Sequence, residues 1–193
     1  MISNIALRRA LKSQILKDKV VEKQIDTKLF AHFDRCKKNL LKEYDMHPVT
    51  RDLNNESNAG LVTKGTLFGF LGFESGSAPA EDFRKFLEKS IAMRFIKNNN
   101  RQGVRTYRVE IPNKDDIYSA TPLPWASGRS WVKAIEQGMS GMGNYIQLES
   151  SVSRSGEGFQ AKNSSGGVFR NTSYISSIIN NFKVKLQSYG LSL

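Results

Sequence analysis

The sequence predicts an α+β fold: a small, mostly antiparallel sheet with packed helices, a long N-terminal helix and a closing C-terminal helix. Apolar residues recur at helical spacing near both ends of the 193-residue chain, at residues 5–44 and 173–189. Between them, residues 91–97 and 104–112 are predicted to be paired strands, separated by a loop of hairpin length, and residues 104–111 place Tyr107, Val109 and Ile111 on one strand face. Hairpin-length connections favour antiparallel pairing over parallel pairing.

The N-terminal segment, residues 1–46, is predicted to form a long basic helical arm. Residues 5–44 contain neither Gly nor Pro, and unbroken they would form a rod of roughly 60 Å. A break at Asp26-Thr27, which could cap a second helix, is the alternative. His47-Pro48 is expected to end the helix, because the residue before a proline avoids helical geometry. The apolar residues on one helical stripe are Leu7, Leu11, Ile15, Ile25, Leu29, Phe33, Cys36, Leu40 and Tyr44.

The rest of the chain, residues 47–193, is predicted to be an α+β domain with two mobile loops. The first, at about 49–64, is polar and too long for a simple turn. The second, at about 150–172, is rich in Ser and Gly, and a long hairpin is the alternative there. The stretch TLFGFLGFE at 66–74 is expected to be a strand, and 80–90 a short amphipathic helix.

Further elements follow the central hairpin. After the Pro-rich entry TPLPW, Ser127 is a candidate helix N-cap and Gly138 a candidate helix stop. The stretch NYIQLESS is a candidate strand, and the apolar residues of 173–189 predict the helix that closes the domain. Asp115-Asp116 is expected to lie in a solvated turn.

Charge is the strongest signal in the composition. The chain has 29 Lys and Arg against 18 Asp and Glu, a formal charge of +11, which predicts nucleic acid, an acidic protein surface or a membrane surface as partner. No helix-turn-helix, RNA-recognition or zinc-finger pattern is present, so any DNA contact is expected to be non-specific. A solvated face is the simpler interpretation of the basic residues in the first helix. The candidates for contact with DNA or an acidic surface are Arg8, Arg9, Lys12, Arg154, Lys162 and Arg170.

The sequence also bears on compartment. Cys36 is the single cysteine, so no disulfide can form within one chain. The first residues lack the continuous apolar core of a secretory signal, and no apolar run approaches the roughly 20 residues that span a bilayer. We therefore expect a soluble protein of a reducing compartment, without a membrane partner.

No pattern in the sequence predicts catalysis, a metal or a cofactor. The stretch GLVTKGT has the glycine spacing of a phosphate-binding loop, but Lys64 precedes the second glycine instead of following it. His32 and Cys36 share a helical face, yet two ligands do not complete a zinc site. Neither a paired acid and base nor a serine elbow occurs. We therefore expect no enzymatic activity, no metal and no cofactor.

Aromatic residues indicate a protein interface. The stretch TLFGFLGF contributes three phenylalanines, and two tryptophans flank a Gly-Arg step in WASGRSW. Trp, Tyr and Arg dominate binding energy at interfaces, although burial in the core is an equally good interpretation of the tryptophans. The candidate residues for an oligomer or partner interface are Phe68, Phe70, Phe73, Trp125, Arg129 and Trp131.

Four stretches carry a resemblance to a known family. In order along the chain they are HPVTRDL, GLVTKGTLFGFLGFESG, LEKSI and TPLPWASGRSWVKAIEQGMSG. Together with the long basic first helix and the closing helix, they resemble the tail-completion or neck proteins, the head–tail connectors of tailed bacteriophages. The resemblance extends over about 47–182. One step differs, because residues 64–67 read KGTL where that group commonly has Thr before Gly.

The resemblance implies a structural virion protein without catalytic function. It implies an α+β subunit, made in the host cytoplasm, that assembles into a homo-oligomeric ring, commonly sixfold, at the head–tail junction. Other neck, portal-side and tail proteins would be its partners, and genome DNA would pass through the ring. The alternative, based on composition alone, is a non-specific basic DNA-binding protein that contacts any duplex through its phosphates.

Overall fold

The computed structural model describes residues 4–15, 18–54, 66–99, 104–137, 144–147, 159–162 and 173–188. Its helices are α1 (Asn4–Ile15), α2 (Lys19–Met46), α3 (Pro48–Leu53), α4 (Leu67–Phe70), α5 (Pro79–Ser90), α6 (Lys114–Ser119), α7 (Trp131–Gln137) and α8 (Ile175–Gln187). Its strands are β1 (Ala92–Asn99), β2 (Val104–Glu110), β3 (Pro122–Leu123), β4 (Ala126–Ser130), β5 (Asn144–Gln147) and β6 (Phe159–Lys162). The α+β class, the long helix near the N-terminus and the C-terminal helix are confirmed.

The strands pair differently from the single small sheet expected. In the described ranges they form three separate antiparallel pairs, β1–β2, β3–β4 and β5–β6. The predicted central hairpin is confirmed as β1–β2, and the candidate strand in NYIQLESS as β5. Within the late Ser/Gly-rich segment, β6 pairs with β5, so the hairpin alternative is the correct one for those residues.

The N-terminal arm consists of two helices, and the break lies earlier than Asp26-Thr27. Asp18 caps α2, because its side-chain oxygen accepts a hydrogen bond from the Val20 amide at 2.8 Å. Thr27 lies inside α2, and its hydroxyl donates a hydrogen bond to the carbonyl of Lys23. Asp26 binds the β1–β2 hairpin instead of capping a helix.

The core lies on one face of α2. Its buried residues are Phe33, Cys36, Leu40, Leu41 and Tyr44. They pack mainly against α8, whose buried residues are Ile175, Ile178, Ile179, Phe182 and Leu186, as the spacing predicts. The Tyr44 ring stacks on that of Tyr174 with 5.9 Å between centroids, and its hydroxyl donates to the carbonyl of Ala80 at 2.8 Å. These contacts hold α2, α5 and α8 together.

The stretch predicted as a strand is the short helix α4, so the strand assignment was wrong. Leu67, Phe70 and Leu71 are almost fully buried, and their spacing of three and four places them on one helical face. The first turn is fixed because the Leu67 amide donates to the carboxylate of Asp52 at 3.1 Å. Gly72 then turns the chain with φ +73°, where a Cβ would lie 2.9 Å from the Trp125 ring.

The solvated turn predicted at Asp115-Asp116 and the N-cap predicted at Ser127 were also wrong. In both places, as in α4, a side-chain hydrogen bond determines where the helix begins. Asp115 and Asp116 lie in the first turn of α6, where Asn113 and Asp116 form a capping box. Ser127 lies within β4, and α7 begins at Trp131 after Ser130, whose hydroxyl accepts from the Lys133 amide at 3.1 Å. Helix α7 ends at Gln137, and Gly138 lies outside the described residues.

His47 both ends α2 and begins α3. The first mobile loop predicted at 49–64 is therefore wrong for its first residues, which form a buried helical turn, while 55–65 lie outside the description. The ring of His47 lies 4.7 Å from that of Tyr174, and its Nδ1 accepts from the Val49 amide at 3.2 Å. Burial lowers the pKa of His47, and only the neutral ring accepts this hydrogen bond.

Stability should therefore fall on mild acidification. Below about pH 6.5 the unfolded chain protonates His47 more readily than the folded chain does, so the free energy of unfolding decreases until the pH passes the folded-state pKa. His47→Asn keeps a capping side chain and removes this titration. Urea unfolding at pH 7.5 and pH 5.5 should show a smaller loss for His47→Asn than for the wild type. His32→Gln, which changes the second of the two histidines, should keep the wild-type loss. An equal loss in His47→Asn and the wild type would contradict this role.

Candidate assembly interface

The six residues predicted for an interface do not form one exposed patch. Phe70 and Trp131 are core residues, exposed by 3% and 1%. Phe73 and Trp125 are half-buried, and the indole of Trp125 donates to the carbonyl of Leu71 at 2.8 Å. In this conformation Phe70 and Trp131 are inaccessible to a partner, which agrees with the core interpretation of Trp131. Of the other two, Arg129 is exposed on β4 and Phe68 is half-buried beside a groove.

Helix α1 has an apolar face that nothing described in the chain covers. Leu11 and Ile15 lie one turn apart on this face and are exposed by 50% and 53%. Ile5, exposed by 65%, lies on another side of the helix, beyond Arg8 and Lys12. Single exposed apolar residues are ordinary, whereas neighbouring ones on one helical stripe form a candidate surface for a partner. Its basic residue Arg8 is exposed as well.

The other residues predicted for DNA or acidic contacts are only partly described. Arg9 and Lys12 belong to α1 and Lys162 to β6, but only their backbone is described. Arg154 and Arg170 lie outside the described residues. The structure therefore does not test a common basic surface made by these residues.

A groove runs along the start of α5. It has a volume of about 470 Å³ and is lined by Tyr44, Asp45, Leu53, Phe68, Ala80 and residues of the turn 75–78. Its floor is apolar, since Leu53 and Ala80 are almost fully buried core residues. Arg84 closes one side, held by a hydrogen bond from its Nε to the carboxylate of Asp45 at 2.9 Å. The groove is therefore lined by apolar and polar groups in similar measure, with an ion pair on one side.

The groove rim and α1 carry opposite charges. Residues 74–82, which border the groove and begin α5, contain Glu74, Glu81 and Asp82 and no basic residue. Of these three acids only Glu81 lines the groove, and Arg84, paired with Asp45, lines it as well. Residues 4–15 of α1 contain three basic residues and no acidic one. Acidic side chains are favoured in the first turn of a helix, where they face its positive end. Glu74, Glu81 and Asp82 are all exposed. Glu81 pairs with Lys85 at 2.8 Å, so the charges of Glu74 and Asp82 are the ones available to another molecule.

A buried arginine fixes the β1–β2 hairpin to α2. The guanidinium of Arg105 pairs with Asp26 at 2.7 Å and with Glu22 at 2.9 Å. It lies 4.7 Å from the centroid of the Phe95 ring, and its Nε donates to the Tyr107 hydroxyl at 3.0 Å. Burial alone would lower the pKa of Arg105, but the hydrogen bonds with Tyr107 and Asp26 raise it above its ordinary value. The pair is desolvated and multiply hydrogen-bonded, so it positions the hairpin strongly.

The outer half of this hairpin exposes further apolar residues. A bulge after Phe95 leaves Ile96 without a cross-strand partner, and both side chains are exposed, by 42% and 43%. Val104, which precedes Arg105, is exposed by 46%, and Val20 near the start of α2 by 64%. The hairpin end therefore carries a second group of exposed apolar residues, Phe95, Ile96 and Val104.

Cys36 is a core residue, as its position on the apolar stripe of the N-terminal arm predicts. Cys36 is buried, and its Sγ lies 3.4 Å from Nε2 of His32. Nowhere in the described part of the chain do three His, Cys, Asp or Glu side chains cluster as metal ligands would. Residues 60–65 of the phosphate-loop-like stretch are not described. Among the described helices, none combines the length and apolar character needed to cross a bilayer.

Comparison with known proteins identified no similar protein. No family model matches the sequence, and no curated protein or solved structure matches it.

The Arg105 pair should matter more for stability than the Arg84 pair. Arg105→Gln leaves Glu22 and Asp26 close together without a cation, which should lower the free energy of unfolding by about 1–3 kcal/mol. Arg84→Gln removes a pair whose side chains are 37% and 42% exposed, and should cost less than about 1 kcal/mol. Urea unfolding of both variants at pH 7 gives the comparison. Equal costs would mean that the Arg105 contacts do not anchor the hairpin.

Proposed function

We propose that this chain is a structural subunit of the head–tail junction of a tailed bacteriophage, a tail-completion or neck protein that assembles into a ring. The observation that carries the proposal is the uncovered apolar face of α1 at Leu11 and Ile15. The family resemblance supplies the location in the virion and the passage of genome DNA through the ring. The chain needs no catalytic residue, metal or cofactor for this role.

The occupant of the α1 face is a second copy of the same chain. We place α1 of one subunit in the groove along α5 of the next, with its apolar face toward Phe68 and Ala80. The three basic residues of α1 then meet Glu74 and Asp82 beside the groove. Covering each apolar side chain contributes about 1 kcal/mol, because Leu11 and Ile15 are only about half exposed, and the opposite charges orient the helix and speed the encounter.

This contact uses two different surfaces of the subunit. Repeated in one rotational direction, such a head-to-tail contact continues from copy to copy until the rotation closes a ring, whereas mutual exchange of α1 between two copies would give a closed dimer. The exposed residues Phe95, Ile96 and Val104 at the hairpin end are available for the other neck, portal-side or tail proteins. A ring subunit needs both kinds of surface, one for its own copies and one for its neighbours in the virion.

Two variants separate the two halves of the contact. Leu11→Ser with Ile15→Ser removes the α1 half, and Glu74→Lys with Asp82→Lys removes the groove half. Each variant alone should stay monomeric in analytical ultracentrifugation at concentrations where the wild type assembles. Mixed one to one, they should form a dimer, because one intact α1 meets one intact groove, and they should not form the ring.

Val184→Ser is the matched control for loss of an exposed apolar residue. Val184 is 56% exposed on α8, similar to Leu11 on α1, so the control should assemble as the wild type does. Wild-type rings from both variants, or a mixture that remains monomeric, would refute the head-to-tail contact. Circular dichroism and urea midpoints confirm that each variant is folded.

A further inference from the structure

Four cations lie in a row along the outward face of α2. Lys28, Arg35, Lys38 and Lys42 are all exposed. At 3.6 residues per turn they fall within ~80° of one another around the helix, on the side opposite to the buried core residues, over a length of ~21 Å. We name this set the α2 basic stripe.

Acidic side chains are directed away from this stripe. The other exposed residues on this side of α2 are Gln24, Ala31, Asn39 and Met46, and none of them is acidic. Four of the five carboxylates of α2 form ion pairs with cations from other elements: Glu22 and Asp26 with Arg105, Glu43 with Lys185, and Asp45 with Arg84. The fifth, Asp34, is exposed beside the stripe. The fold therefore pairs four of the five acids of α2 with cations of other elements and leaves only Asp34 beside the four outward cations.

The stripe cations themselves make no ion pair with any residue that the structure describes. Lys38 is three residues from Arg35 and four from Lys42, spacings at which like charges on a helix repel. Elsewhere the exposed cations Lys85 and Lys185 do pair with carboxylates. An external polyanion would relieve the repulsion along the stripe.

We infer that the α2 basic stripe binds the phosphate backbone of double-stranded DNA without reading its sequence. The duplex carries one charge per ~1.7 Å of axis, so a straight stripe of ~21 Å matches a regular row of phosphates. The core behind α2 holds the row rigid, which reduces the entropy lost on binding. An acidic protein partner fits less well, because interface cores need aromatic or large apolar groups and the stripe has only Met46, at its end.

This surface differs from the one expected from the sequence, which lay on α1 and in the late loop. It deepens the proposed function and rests on it in one respect: DNA is the polyanion that a head–tail ring would meet. The binding itself does not require a ring. A duplex assay and a mass measurement on the same variants therefore separate the two claims.

The test removes the stripe charges and a matched set of other charges. The stripe variant is Lys28→Gln, Arg35→Gln, Lys38→Gln and Lys42→Gln in the full-length chain. The control variant is Lys89→Gln, Lys114→Gln, Lys133→Gln and Lys183→Gln, with the same change in net charge at exposed positions outside the stripe. Fluorescence anisotropy with a mixed-sequence duplex gives the dissociation constant at several salt concentrations.

We expect the stripe variant to lose at least tenfold in affinity near 0.1 M salt. Its slope of log affinity against log salt should become shallower by about 3.6, which is 0.9 for each of four phosphate contacts. The control variant should keep most of the wild-type slope. The double variant Arg35→Gln with Lys38→Gln replaces the fourfold variant if the latter does not fold. Its slope should change by about half as much, because it removes two of the four phosphate contacts.

Three outcomes would overturn the inference. One is an unchanged slope in the stripe variant, and another is an equal loss in the control variant, which would assign binding to net charge alone. The third is tighter binding to polyglutamate than to the duplex, which would assign the stripe to an acidic protein. Native mass spectrometry tests assembly separately from DNA binding. A stripe variant that forms rings but does not bind DNA supports both claims. A wild-type protein that binds DNA through the stripe but never forms rings contradicts only the proposed function.

Discussion

The packing of one face of α2 is the constraint on which the rest of the structure depends. Tyr44 illustrates it: its ring stacks on Tyr174 before α8, and its hydroxyl binds the carbonyl of Ala80 in α5. A 28-residue helix with a buried stripe provides more contact surface than any other described element, so α3, α5, α8 and the β1–β2 hairpin all attach to it. Burying that stripe also determines which residues of α2 point to solvent, and so it positions the basic stripe.

The polar anchors on α2 are unequal in strength. The Arg105 guanidinium is desolvated and bridges two carboxylates one helical turn apart, so it positions the hairpin against the N-terminal half of α2. The Arg84 and Lys185 pairs lie nearer to solvent and contribute less. These pairs together engage four of the five acids of α2. The molecule then has four distinct surfaces: the apolar face of α1, the groove along α5, the apolar hairpin end and the basic stripe.

The spacing of apolar residues in the sequence predicts much of the fold. The short elements that it does not predict depend on side-chain caps. Long apolar stripes predict α2 and α8 because tertiary packing follows their spacing over many turns. Short elements depend on single hydrogen bonds that no spacing reveals: the bond from Asp52 to the Leu67 amide makes α4 a helix, and Ser130, not Ser127, caps α7. The sequence does place the charge of Arg105 on the same strand face as Tyr107. It does not show that this charge pairs with Asp26, which lies 79 residues earlier in the chain. The uncovered α1 face was invisible in the sequence, because an apolar stripe looks the same whether or not the chain covers it.

The most direct test of head-to-tail assembly through α1 is the mass of the wild-type protein by native mass spectrometry over a range of concentrations. Because the contact joins two different surfaces, mass should rise with concentration through short oligomers and end in one closed species of fixed copy number. Loss of that species in Leu11→Ser with Ile15→Ser would assign it to α1. A wild type that remains monomeric at every concentration, or that stops at a dimer, would contradict the account.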